Sequence, residues 1–143
     1  MNKDKILLVD DEEEFTKVLA ERMETRGLDV DTVASGAEAL EQARDKPYDA
    51  VILDMAMPEM DGIETLKRLL DENPDLQVIF LTGKATLQKG IEAVKLGALD
   101  FLEKPVKLET LMERIKEAKS NKIILVEKKN EEKIRGILGT KGW

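Results

Sequence analysis

The 143-residue chain contains no cysteine and no histidine. Without cysteine it can form no disulfide, and it offers neither a thiol nucleophile nor a thiolate zinc site. Without histidine it cannot assemble a Ser-His-Asp triad or carry a phosphohistidine. Any metal bound here must therefore sit on oxygen ligands, which favours magnesium, manganese or calcium.

Long hydrophobic runs are also missing. The longest apolar runs have four residues, at 6–9, 50–53, 78–81 and 123–126, far short of the ~18 that suggest a membrane span. The first five residues lead directly into a strand pattern, without the apolar segment of a signal peptide. We therefore expect no membrane association and a cytoplasmic location.

Charge is distributed unevenly along the chain. Residues 1–118 carry a net charge of −11 and residues 119–143 a net charge of +4. The length fits one domain with a true core. We predict a domain over residues 1–118, followed at 119–143 by a basic C-terminal extension that is either a helical continuation or a flexible tail. Nucleic-acid binding is not expected, because the body is strongly acidic.

Short apolar runs alternate with amphipathic stretches of helical period. Turn-forming residues bound these runs, which favours strands over buried helices. Strands alternating with helices imply right-handed crossovers and a parallel sheet covered on both faces. The order predicts an α/β fold, a (βα)5 three-layer sandwich. Its strands are expected at Ile6–Val9, Leu28–Val33, Ala50–Leu53, Leu76–Leu81 and Leu99–Leu102.

Polar side chains follow four of these strands at the point where each strand ends. Asp10 and Asp11 follow the first strand, Asp54 the third, Thr82 the fourth and Lys104 the fifth. In parallel α/β sheets, ligands bind beyond the carboxyl ends of the strands. We therefore expect these side chains to converge on one edge of the domain.

Three neighbouring carboxylates need positive charge. Two like charges ~4 Å apart repel by roughly 4 kcal/mol at an effective dielectric constant of about 20. A divalent cation and Lys104 together would balance Asp10, Asp11 and Asp54. Mg²⁺ suits such a site, because it takes one or two carboxylates and keeps waters for an incoming phosphate. Thr82 and Lys104 are suited to donate hydrogen bonds to phosphoryl oxygens.

Each of these residues also has a structural explanation. An acidic pair after a strand can cap a helix, and an aspartate before a proline-containing loop can shape a turn. A single threonine can be structural, and a single lysine can be a solvated surface charge. The coincidence of all four groups at successive strand ends favours a functional site.

The sequence closely resembles the receiver (CheY-like) domain of bacterial two-component response regulators. The resemblance covers residues 5 to about 118, and it implies a flavodoxin-like sheet with strand order 2-1-3-4-5. The stretches that carry it are ILLVDD at 6–11, VILDMAMPEMDG at 51–62, LTG at 81–83 and GALDFLEKP at 97–105.

The resemblance implies roles for the matching residues. Asp54 would be the phosphoacceptor, receiving a phosphoryl group from a phosphohistidine of a sensor histidine kinase or a phosphotransfer protein. Asp11, Asp54 and the backbone carbonyl of Ala56 would bind Mg²⁺, assisted by Asp10, in part through water. The remaining roles are those of Thr82 and Lys104 as contacts to the phosphoryl oxygens, Phe101 as the aromatic residue that reorients on activation, and Pro105 as a cis-proline.

The function implied is phosphorelay signal transduction by a phosphoprotein that is not an enzyme, although it assists its own phosphotransfer and dephosphorylation. We expect a stand-alone response regulator that signals to an unknown downstream protein through its α4-β5-α5 surface. A homodimer through that surface or through the extension is a further expectation. The alternatives are a receiver fragment of a longer transcriptional regulator and a magnesium-dependent phosphatase with an aspartyl nucleophile. The phosphatase is disfavoured, because Ala56 stands where a second acid is needed.

Overall fold

Five β-strands and five α-helices alternate along the chain. The structure is a computed structural model that describes residues 3–54, 62–83 and 87–140. The strands are β1 (Lys5–Val9), β2 (Asp29–Val33), β3 (Ala50–Asp54), β4 (Val78–Thr82) and β5 (Asp100–Glu103). The helices are α1 (Glu13–Thr25), α2 (Gly36–Asp45), α3 (Gly62–Glu72), α4 (Leu87–Lys95) and α5 (Leu108–Thr140). All five predicted strands are present, with ends shifted by at most two residues.

The strands form one parallel sheet in the order β2-β1-β3-β4-β5, which confirms the predicted topology. Because β2 lies on one side of β1 and β3 on the other, the direction of winding reverses between β1 and β3. Sheets of this kind bind ligands at that reversal. The fold thus places Asp10, which follows β1, and Asp54, which ends β3, at the reversal.

Alternate residues of the central strands form two separate cores. One core lies against α2, α3 and α4, and the other lies against α1 and α5. Strand side chains alternate between faces, so runs that are apolar throughout fill both cores. The first core takes Leu7, Val51, Leu53, Val78 and Phe80 from the central strands, and the second takes Ile6, Leu8, Ile52, Ile79 and Leu81.

Local signals in the sequence set several helix ends. Ser35 accepts a hydrogen bond from the Glu38 backbone N–H at 3.2 Å, and a Glu38 carboxylate oxygen accepts one from the Ala34 N–H at 2.8 Å. This pair of bonds resembles a capping box, with Ser35 as the N-cap of α2. Gly27 and Gly97 have φ values of 90° and 119°, the left-handed conformation expected after α1 and α4.

Helix α5 continues well past the predicted domain boundary at residue 118. Its 33 residues reach Thr140, a length of about 50 Å at 1.5 Å per residue. Beyond Ala118 it makes polar contacts with the domain, including a hydrogen bond from Asn121 to Gln77 at 3.4 Å. Lys119 pairs with Asp4 at 2.7 Å, and Lys122 pairs with Asp49 at 3.5 Å and donates to the Tyr48 carbonyl at 3.1 Å. The first part of residues 119–143 is therefore helix lying against the domain. No helix in the described part of the chain is both long and apolar enough to cross a membrane.

A charged hydrogen bond fixes the residues that precede β3. The hydroxyl of Tyr48, which is 3% exposed, donates to Asp31 of β2 at 2.7 Å. That bond lowers the pKa of Asp31, so its contribution to stability is present at neutral pH and is lost as the pH falls through the folded-state pKa.

Replacing Tyr48 with phenylalanine tests this bond. Tyr48→Phe should lower the free energy of unfolding by about 1 kcal/mol at pH 7, because the Asp31 carboxylate loses the hydrogen bond from the Tyr48 hydroxyl. The deficit should shrink at an acidic pH below the lowered pKa of Asp31, where this carboxylate is protonated in both proteins. Urea unfolding at both pH values measures the effect. An equal deficit at the two pH values would show that the loss comes from packing alone.

Candidate functional site

Four strand ends meet at one edge of the sheet, as predicted. Asp10 follows β1, and its backbone N–H donates to the Val33 carbonyl at 3.1 Å. Asp54 and Thr82 are the last residues of β3 and β4. Lys104 follows β5, and its backbone N–H donates to the Thr82 carbonyl at 2.7 Å. Backbone hydrogen bonds thus hold the chain at the residues that bear the polar side chains.

The ammonium group of Lys104 lies between two buried carboxylates. Its Nζ is 3.1 Å from Oδ2 of Asp54 and 3.5 Å from Oδ2 of Asp10. The side chains of Asp10 and Asp54 are 0% and 7% exposed, and that of Lys104 is 24% exposed. The same Nζ lies 4.7 Å from the centre of the Phe15 ring, within cation–π range. The peptide bond that follows Lys104, to Pro105, is cis.

Burial and crowding perturb the acid–base behaviour of the site. Burial raises the pKa of Asp10 to about 7, assisted by the neighbouring Asp54 and opposed by the Glu12 backbone N–H and by Lys104. Burial also disfavours the ammonium form of Lys104, but Asp54 and Asp10 outweigh it and raise the pKa of Lys104. The site therefore holds more negative charge than one lysine neutralises.

Three carboxylates in the described part of the chain are placed to share a cation. Ligand oxygens of Asp10, Glu12 and Asp54 all lie within 4.8 Å of one another. Carboxylate oxygens are the ligands that Mg²⁺ prefers. The buried charge on Asp10 and Asp54, only partly balanced by Lys104, fits a divalent ion at this position. The donor set is consistent with magnesium.

This set differs from the predicted ligands in one residue. Asp11 is exposed and stands outside the group of three, whereas Glu12 lies within it. The Glu12 backbone N–H donates to Oδ1 of Asp10 at 3.0 Å, which turns the chain at this point. The sequence prediction assigned no role to Glu12, since three adjacent acids do not reveal which one faces inward. Ligation by Asp11 stays a prediction, and Ala56 lies outside the described residues.

Thr82 is positioned as an unused donor. Its side chain is 0% exposed, and its hydroxyl has no hydrogen-bond partner within the residues described. A buried hydroxyl without a partner is costly, so an acceptor that arrived near Asp54 would be favoured. Phe101 lies on β5, paired in register with Phe80 of β4, and its partly buried ring packs against the core on the α2–α4 face.

The family comparison agrees with this geometry. Residues 6–116 match the family model described as the response regulator receiver domain. The chain therefore belongs to the response regulator receiver domain family, and the resemblance seen in the sequence is confirmed.

Curated relatives are longer than this chain. It is 38% identical over 113 residues to the transcriptional regulatory protein ZraR of Salmonella typhimurium, a match that spans 79% of the chain and 26% of ZraR. It is 35% identical over 118 residues to the uncharacterized transcriptional regulatory protein YkoG of Bacillus subtilis, spanning 82% of the chain and 52% of YkoG. The chain thus spans between a quarter and about half the length of these two relatives.

Among solved structures, a response regulator receiver domain protein from Clostridium thermocellum superimposes with a TM-score of 0.82 at 35% identity. The match covers 85% of this chain and 98% of that one. The part of the chain that carries the site is therefore a receiver domain in sequence and in fold.

Replacing Asp10 tests the electrostatics of the metal-free site. Because its pKa is raised to about 7, the folded protein binds more protons than the unfolded chain between pH 4 and 7, and stability falls as the pH rises through that window. Asp10→Asn removes the buried charge. In the presence of a chelator it should raise the thermal midpoint by roughly 2–4 °C at pH 8 and by much less at pH 5.

The matched control is Asp11→Asn, which removes an exposed charge one residue away. It should shift the midpoint by less than about 1 °C at either pH. Thermal unfolding followed by circular dichroism gives all four values. A gain from Asp10→Asn that is equal at pH 5 and pH 8 would contradict the assigned cause.

Proposed function

We propose that this chain is a phosphoacceptor in two-component signalling, with Asp54 receiving the phosphoryl group from a phosphohistidine of a sensor histidine kinase or phosphotransfer protein. The observation that carries the proposal is the Lys104 ammonium 3.1 Å from Asp54, at an edge that also holds Asp10 and Glu12. Family membership supports the same reading.

The transfer needs little covalent chemistry from the protein. An oxygen of Asp54 forms a bond to phosphorus while the bond from phosphorus to the donor's histidine nitrogen breaks, and that nitrogen keeps the electron pair. Positive charge has to offset the three phosphoryl oxygens. Mg²⁺, held by Asp54 with Asp10 and with Asp11 or Glu12, would supply part of this charge. The Lys104 ammonium supplies the rest, and the Thr82 hydroxyl is available to donate a hydrogen bond.

Phosphorylation changes the charge at Asp54 from −1 to about −2. Lys104, now shared between Asp54 and Asp10, would turn to the new oxygens, and the buried Thr82 hydroxyl would gain an acceptor. In this proposal the chain is not an enzyme acting on other molecules, although it assists its own phosphorylation and dephosphorylation. The lone Ala56 two residues after Asp54 argues against the phosphatase alternative.

The surface formed by α4, β5 and α5 is the proposed output surface. Three apolar side chains of α4 point outward, Leu87, Ile91 and Val94, each 39–40% exposed. Arg114 of α5 pairs with Asp100 of β5 at 3.6 Å, linking two of the three elements. A change in α4 or β5 would thus alter an apolar patch beside an ion pair. A protein partner or a second copy of this chain could read that change.

We propose two ways in which the phosphorylated chain could act downstream. In the first, the chain acts in the cytoplasm as a stand-alone response regulator on a downstream protein. In the second, it is the receiver part of a longer transcriptional regulator, and the two longer relatives named above as transcriptional regulators favour this version. Phosphorylation at Asp54 is common to both.

Intact mass spectrometry tests the phosphoacceptor directly. Incubation with a small-molecule phosphodonor and Mg²⁺ should add a single phosphoryl group to the wild-type chain and none to Asp54→Asn. A chelator should suppress the wild-type adduct by at least about tenfold, because the transition-state charge is then offset by Lys104 alone.

The matched control is Asp71→Asn, a surface aspartate in the last turn of α3. That turn lies at the opposite edge of the sheet, so this variant should be phosphorylated like the wild type. A full phosphoryl adduct on Asp54→Asn would show that the acceptor has been assigned to the wrong residue.

A further inference from the structure

Gly90 occupies the inward face of α4. It is buried and lies one turn after the start of the helix. Leu87, Ile91 and Val94 of the same helix are exposed. Glycine is a poor choice for a helix interior, since it loses more conformational freedom than any other residue on folding. A feature of the fold that requires glycine here must offset that loss.

The ring of Phe101 takes the space that a side chain at residue 90 would need. A Cβ built on Gly90 would lie 2.8 Å from both Cγ and Cδ2 of Phe101 and 3.2 Å from its Cβ. Carbon atoms in van der Waals contact are about 3.5–4.0 Å apart. The observed position of the ring and any side chain at residue 90 are therefore mutually exclusive.

A second glycine inside a helix, in α5, has different surroundings. Gly136 of α5 has nothing within 4 Å of the corresponding Cβ position. A methyl group added there meets open space, so only the gain in helix propensity remains. The two glycines thus form a natural pair for comparison, with the same substitution and the same secondary structure but opposite surroundings.

We infer that Gly90 is a positioning residue for Phe101. The space left free by the missing side chain of Gly90, called the seat of the ring below, couples the rotamer of Phe101 to helix α4. The ring cannot change position without opening or filling the seat beneath α4, and α4 carries the three exposed apolar side chains. Phe101 lies in β5, three residues before Lys104. The backbone N–H of Lys104 donates a hydrogen bond to the Thr82 carbonyl. The link from this seat to Asp54 rests on the function proposed above, whereas the contact itself does not.

Thermal unfolding of four proteins tests the contact without any phosphodonor. Gly136→Ala should raise the midpoint by less than about 2 °C, because residue 136 lies in the exposed outer part of α5, where added helix stability is largely local. Gly90→Ala should lower it in the wild-type background and raise it in the Phe101→Ala background, where the two 2.8 Å contacts are gone. The same shift from Gly90→Ala in both backgrounds would overturn the inference, since it would mean that the two residues do not interact.

Fluorine NMR reports the environment of the Phe101 ring directly and needs no double variant. The chain has three phenylalanines, so fluorophenylalanine labelling gives three resonances, of which Phe101 is assigned by its loss in Phe101→Ala. Gly90→Ala should move the Phe101 resonance, and Gly136→Ala should leave it in place. A Phe101 resonance that is unmoved by Gly90→Ala would contradict the mutual exclusion, whatever the thermal data show.

The rate of phosphorylation separates a positioning role from a purely structural one. With a small-molecule phosphodonor and Mg²⁺, Gly90→Ala should change the initial rate at least about twofold, because displacing the ring shifts the population of the conformation that accepts the phosphoryl group. The change should vanish when Phe101 is alanine. An unchanged rate together with a displaced ring would overturn the positioning role.

The Asp54→Asn variant distinguishes failure of the proposed phosphoacceptor from failure of the inference about Gly90. If that variant accepts the phosphoryl group, the proposed acceptor fails, yet the thermal and NMR results on Gly90 still stand or fall by themselves.

Discussion

The site depends on one interaction, the ammonium group of Lys104 held between the buried carboxylates of Asp54 and Asp10. One cation faces two buried anions, with the Glu12 carboxylate close by. Burial strengthens the electrostatic interactions between these charges, because little water screens them. Burial, assisted by the neighbouring Asp54, raises the pKa of Asp10 to about 7. A site of this kind is improved by added positive charge, and a phosphoryl group that took Lys104 away would alter every contact there.

Apolar burial in the sheet offsets the cost of bringing these charges together. Parallel strands β1, β3 and β4 are buried on both faces, so their ends are held by two cores rather than by the polar residues themselves. Asp10 and Asp54 extend from the two strands where the winding reverses, and Lys104 reaches them from the far edge strand. The repulsion between the acids is therefore opposed by apolar burial elsewhere, at roughly 25 cal/mol per Å² of buried apolar surface.

The pattern of strands and helices was sufficient for the fold class and for the convergence of the polar side chains, and the family resemblance supplied the strand order. Runs such as residues 50–53 are apolar throughout and flanked by turn-forming residues, and the rule that ligands bind at the carboxyl ends then brings Asp10, Asp54, Thr82 and Lys104 together. The sequence was insufficient where a backbone turn decides which side chain faces inward. Glu12 approaches the other acids because its own N–H bonds to Asp10, and no property of three consecutive acids reveals this. The seat at Gly90 was equally hidden, since a glycine in a helical pattern does not name the ring that covers it.

Helix α5 is held by two kinds of contact that respond differently to conditions. Up to Ala118 it is attached by buried apolar side chains, Leu111 and Ile115 among them. Beyond that point Lys119, Lys122 and Lys129 pair with Asp4, Asp49 and Asp75, all near the amino ends of the strands. Partly exposed pairs are each worth about 0–1 kcal/mol and weaken as salt screens them. The outer half of the helix is thus attached far more weakly than the inner half, while Ile123, Ile124, Val126 and Ile134 stay exposed along it. Rigid attachment near β5 and weak attachment beyond allow the outer half of α5 to move without disturbing the core that positions Lys104.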